Sequence, residues 1–219
     1  MSCFRRWFTR LWWLPLLLLS VVACADTGPL SLGGHEDALF SEPFGPVEGE
    51  WLLENDELSR AYMANEQLLI EVDAPNLVHY VTLDSEQFGD FTLDVSVTQL
   101  SGDRSSSFGV LFRIQEIGGF YRLAVTGDGQ YQVELRRTDG SVVSLTDGWQ
   151  QTTSLRSELG QPNDLRVVAR GNEFQFYANN LLLTELSDSS LGQGKIALDA
   201  GTFGRTGLQV AFDDLIVSP

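Results

Sequence analysis

Phe91-Thr92-Leu93-Asp94-Val95-Ser96-Val97-Thr98 decides the fold. Apolar and polar side chains alternate strictly, a period of two where a helix would show 3.6. In a strand, this pattern puts Phe91, Leu93, Val95 and Val97 on one face and their polar neighbours on the other. The expectation is a strand packed on one side and solvated on the other, as in antiparallel sheets.

The same grammar runs outward from Leu68 onward. Phe108, Val110, Phe112 and Ile114 alternate with Gly109, Leu111 and Arg113, and Tyr131, Val133 and Leu135 alternate with Gln132, Glu134 and Arg136. Segments 141–146, 164–170, 173–178, 181–186, 194–200 and 207–217 continue it. Gly127-Asp128-Gly129, Asp139-Gly140, Gly171-Asn172 and Asn179-Asn180 stand between them, residues that accept the positive φ of tight hairpins. About a dozen short strands at this spacing predict an all-β, antiparallel two-sheet sandwich. Only Asp56 to Asn65 has helical character, and it lacks a sustained apolar stripe. No repeat of propeller or solenoid length is evident.

The order of motifs adds a resemblance. Phe108-Gly109-Val110-Leu111-Phe112-Arg113 precedes Phe120-Tyr121-Arg122-Leu123 and Gly129-Gln130-Tyr131. Asn163, Phe176-Tyr177-Ala178-Asn179, Gly194-Lys195-Ile196 and Val210-Ala211-Phe212-Asp213-Asp214 follow. This run resembles the concanavalin-A-like jelly rolls, and within them the bacterial 3-keto-disaccharide hydrolase-like and laminin-G-like group. The resemblance implies a jelly-roll sandwich over residues 38–219, with one concave sheet face as the usual ligand groove.

The chain opens differently. Arg5, Arg6 and Arg10 form a basic region, an apolar run extends from Leu11 to Ala23, and Val21-Val22-Ala23-Cys24 closes it. This resembles a bacterial lipoprotein signal, which implies cleavage before Cys24 and lipid attachment to that cysteine. The run is shorter than the ~20 apolar residues of a bilayer span, and Pro15 interrupts it. Residues 1–23 are therefore read as the signal and residues 24–37, rich in Gly, Ser and acidic side chains, as a flexible tether. Cys3 would leave with the signal, so the mature chain would hold one cysteine and no internal disulfide. The expected location is the cell envelope, on the periplasmic or exterior side of a membrane.

Beyond the signal, 11 basic residues face 30 acidic ones, and Lys195 is the only lysine. Nucleic acid and anionic lipid surfaces would be repelled. Neutral or cationic partners fit better, and calcium stays open as an alternative to no cofactor at all, with turns such as Gly127-Asp128-Gly129 as ligand donors.

No catalytic constellation stands out. Glu71-Val72-Asp73 begins the carboxylate pattern of jelly-roll glucanases, but Asn76 occupies its third position and Pro75 breaks the strand. His79, alternating with Val78 and Tyr80, is the only histidine of the body and cannot make a zinc site alone. Binding is the stronger expectation. Sugar sites combine an aromatic face with planar hydrogen-bonding groups. Arg113 is expected on an outer sheet face if Phe108, Val110 and Phe112 point inward, with Tyr121, Arg122, Arg136 and Trp149 beside it in the groove. The function expected is a non-catalytic binding module for carbohydrate or envelope glycan. The alternatives are an envelope protein-interaction scaffold and a glycoside-cleaving hydrolase.

Overall fold

The computed structural model describes residues 38–45 and 50–219. The residues read as signal and tether, Cys24 among them, lie outside the described residues. Asp37–Pro219 form one compact unit.

Every regular element among the described residues is a strand. In chain order they are β1 (Phe40–Glu42), β2 (Trp51–Leu52), β3 (Ser59–Ala64), β4 (Gln67–Val72), β5 (Val78–Phe88) and β6 (Phe91–Ser101). Then come β7 (Ser107–Ile114), β8 (Phe120–Thr126), β9 (Gln130–Arg136), β10 (Val142–Ser144) and β11 (Gln150–Gln151). The last five are β12 (Pro162–Arg170), β13 (Glu173–Ala178), β14 (Leu181–Ser187), β15 (Gly194–Gly201) and β16 (Leu208–Ser218).

Two eight-stranded sheets result. The first runs β14-β13-β12-β6-β16-β4-β3, with β1 added against β16; the second runs β10-β9-β8-β7-β15-β5-β2, with β11 against β9. All pairings are antiparallel. The fold is an antiparallel two-sheet jelly-roll sandwich.

The core is what the alternation requires. Phe91, Leu93, Val95 and Val97 from the first sheet and Phe108, Val110 and Phe112 from the second are all buried between the layers. Phe112 touches Phe91, Phe174 and Phe176 across the gap, with ring centroids 5.6–6.1 Å apart. Edge and tilted aromatic contacts of this kind add to the area term.

The segment with helical character turns out to be a strand. Ser59–Ala64 pairs with Gln67–Val72 through a two-residue turn, Asn65 and Glu66, both at positive φ. Arg60 pairs with Glu71 (2.5 Å), and Tyr62 donates to the same carboxylate at 2.5 Å. Those cross-strand contacts outweigh the weak local helical preference.

Candidate functional site

The second sheet turns one face to the core and the other outward, and the outward face carries a cleft of about 880 Å³. Alternation supplies its lining. Val78, Tyr80, Thr82 and Asp84 come from β5, Lys195 and Asp199 from β15, and Leu111 from β7. Phe120 and Arg122 from β8, Glu134 and Arg136 from β9, Val142 from β10 and Leu52 from β2 line it too, with the loop 115–118 and Gln193 at one end. Tyr80 is 56% exposed and Val78 49%. His79 between them points inward, its Nδ1 2.9 Å from Ser59 Oγ.

A buried charge cluster lies in the floor. Arg122 gives Asp199 two bonds on Oδ2, from Nε at 2.9 Å and Nη2 at 2.6 Å. Nη1 reaches Glu134 at 3.3 Å and Nη2 also donates to Ser107 Oγ at 3.0 Å. Burial works against the Arg122 charge, but Asp199 and Glu134 outweigh it and hold the guanidinium above its usual range. Burial pushes the Asp199 carboxyl upward, with Arg122 opposing. Asp199 Oδ1 is buried and has no protein partner. Nearer the rim, Lys195 pairs with Asp84, while Arg136 donates to the Gly118 carbonyl and lies over Phe120 with its guanidinium 5.9 Å from the ring centroid.

The five residues expected in a groove therefore separate. Arg122 and Arg136 lie in the cleft wall. Arg113 does not lie on the outer face: it is buried, at φ 52°, in a bulge where the β7–β15 register shifts. The left-handed residue breaks the alternation and sends the side chain to one end of the sandwich. There it caps the Leu191 carbonyl at 2.8 Å and the Gly89 carbonyl at 3.1 Å, and lies 4.9 Å from the Phe174 ring centroid. Burial lowers its pKa.

Tyr121 likewise faces the core. It stacks on Phe112 (5.3 Å, 23°) and donates to Asp188 Oδ1 at 2.5 Å. Burial, with help from Asp188, pushes its phenol up to about 12. Trp149 stands edge-on to Phe203 at 6.4 Å and lines no part of the cleft.

Tyr80, Glu134, Lys195 and Asp199 line the cleft without having been expected there from the sequence. Asp199 carried a signal, as the one carboxylate inside the small and apolar strand Ile196-Ala197-Leu198-Asp199-Ala200. Glu71 is not in the cleft; it sits on the first sheet, bonded to Arg60, Tyr62 and Gln209. No cluster of three or more metal-ligating side chains occurs among the described residues. Asp128, in the turn considered for calcium, accepts from Thr126.

No model of a known protein family matches the sequence, and no curated protein matches it. Solved structures do. A carbohydrate-binding module from Bacillus subtilis superposes with a TM-score of 0.62 at 15% identity, over 78% of this chain and 96% of that one. A Bacillus subtilis protein of galectin-like fold gives 0.65 at 10%, over 83% and 96%. A Bacillus licheniformis β-glucanase gives 0.63 at 10%, over 85% and 100%. At such identity the likeness is one of fold. The chain has the jelly-roll sandwich found in carbohydrate-binding modules and glycoside hydrolases alike.

Proposed function

We propose that this protein is a lipid-anchored, extracytoplasmic module that binds glycan in the outward cleft of its second sheet, without cleaving it. The cleft carries the reading. It sets an exposed aromatic, Tyr80, and the Phe120–Arg136 stack beside a polar floor. A pyranose presents an apolar face and a rim of hydroxyls, and such a surface meets both. The structural likeness to a carbohydrate-binding module supports the same reading. Both inner carboxylates are engaged by Arg122, which suits fixed recognition better than proton transfer.

The test is calorimetric titration of the full chain in detergent with a panel of oligosaccharides. Tyr80→Ala and Arg136→Ala should each weaken the best ligand about tenfold, the worth of one stacking or polar contact. Tyr80 is exposed, so its replacement should leave the melting temperature nearly unchanged. A flat response across the panel would shift the reading to an envelope protein partner. Release of reducing ends, lost in Glu134→Gln, would make the protein a hydrolase. Anchoring has its own test: Cys24→Ala should abolish lipid labelling and leave the precursor uncleaved, and unchanged processing would overturn it.

A further inference from the structure

Three cations stand in the cleft, and each is already engaged. Lys195 pairs with Asp84, Arg136 with the Gly118 carbonyl, and Arg122 with Asp199, Glu134 and Ser107. An arginine recognises a ligand carboxylate best through two parallel N–H groups. Arg122 has its Nε and Nη2 on Asp199 and its Nη1 on Glu134, so that fork is closed to a ligand. Four carboxylates share the same lining: Asp84, Glu116, Glu134 and Asp199. One of them is short of a donor. Asp199 is fully buried, Oδ2 takes both Arg122 bonds, and Oδ1 has no protein partner. Buried acceptors are ordinarily satisfied, so a group that brings a hydrogen to Oδ1 gains more than it would in water.

We infer that the cleft selects its sugars by the hydrogen-bond donors they offer, admitting neutral and amine-bearing glycans and refusing uronic and other acidic ones, with Asp199 as acceptor and Glu134 as the residue that withholds Arg122. This rests on the glycan-binding reading above. A hydroxyl and an ammonium would both bring a hydrogen to Asp199 Oδ1 once the side chains that cover it shift aside. A uronate brings a charge that meets Glu116, Glu134 and Asp199 and finds the Arg122 fork closed, which leaves it only the fork of Arg136, whose Nη1 is already on the Gly118 carbonyl. Discrimination then comes from a repulsive element as much as from an attractive one.

The experiment presents the full chain, in detergent, with neutral oligosaccharides, glucosamine oligomers and uronic-acid oligomers of matched length. Binding to one or both of the first two sets is expected, with uronates at least about tenfold weaker. A salt-sensitive preference for the glucosamine set would identify an ammonium as the donor, and a salt-insensitive preference for the neutral set a hydroxyl. Asp199→Asn should weaken the preferred set about tenfold. Glu134 is 22% exposed at its side chain, and Glu134→Gln should fold even where Asp199→Asn does not. It removes one negative charge and loosens the hold on Arg122 Nη1, so it should narrow the discrimination against uronates at least threefold. Uronates bound as tightly as neutral sugars, or discrimination unchanged in Glu134→Gln, would overturn the inference and leave glycan binding standing. Failure to bind any set would instead remove glycan binding itself.

Discussion

Gly109 has no room for even one more carbon. A Cβ there would lie 2.0 Å from the Leu123 carbonyl oxygen on the neighbouring strand β8. Backbone cannot give way as a flexible side chain can, so β7 and β8 would have to separate. Gly109→Ala should cost about 3 kcal/mol, read from the denaturant midpoint. Recovery of wild-type stability in that variant would show that the two strands part easily. Phe112→Ala, at the centre of the aromatic contacts, should cost about 4 kcal/mol by transfer and cavity together. At this scale the sequence is readable wherever period two holds. Gly109 announces a close neighbour, and Val210 and Phe212 on the last strand are buried as their spacing implies. Tyr121 and Arg122 are adjacent on one strand, so they cannot share a face; the same alternation that found the core was enough to send Tyr121 inward.

Elements depart from the pattern where the backbone does. Arg113 follows three inward residues at perfect alternation, yet the bulge between β7 and β15 turns it under the loop at Leu191. A one-residue bulge leaves no mark in hydrophobic spacing; its trace is the close approach of Gly194 to the Arg113–Ile114 backbone. A Cβ at Gly194 would lie 2.4 Å from the Ile114 carbonyl oxygen. The β13–β14 hairpin was legible in kind but not in detail. Asn179 and Asn180 occupy a two-residue turn at φ 51° and 64°. They are not equivalent. Asn179 Nδ2 donates to the Ser154 carbonyl at 2.7 Å and to Asn163 Oδ1 at 2.9 Å, and its Oδ1 accepts from the Asp164 amide at 3.0 Å. It stitches the hairpin to the loop before β12, whereas no side-chain bond holds Asn180 among the described residues. Asn180→Gly should therefore leave the melting temperature level or slightly higher. Asn179→Gly, with three bonds lost, should cost about 2 kcal/mol. Equal losses from the two substitutions would refute the distinction.

Over the whole molecule, acid should bite before the carboxylates do. Burial lowers the His79 pKa, with Asp56 and Glu54 opposing, and its Nε2 is buried without a partner. The unfolded chain then takes up the proton more readily than the folded one. Stability is complete above the unfolded value of about 6.5 and falls as pH drops through it toward the lowered folded value. The urea midpoint should decline over that window in the wild type and stay flatter in His79→Gln. A slope common to both would assign it elsewhere. The architecture was legible because every strand obeys one rule, the burial of alternate side chains. The cleft was not, because it is a property of seven strands meeting in register, from Tyr80 to Asp199 to Arg122 to Glu134, and no spacing along the chain contains it. The placement of β1 bears on mechanics. Its three residues zip onto β16 through Phe40↔Val217, Ser41↔Ile216 and Glu42↔Leu215, while β16 is clasped on its flanks by β6 and β4. Were the chain pulled from its N-terminal side while a ligand in the cleft stayed fixed, load would enter at this short ladder first. It would part like a fuse, and the next hold is Phe44, buried against Trp51, so the cleft is spared the first jolt.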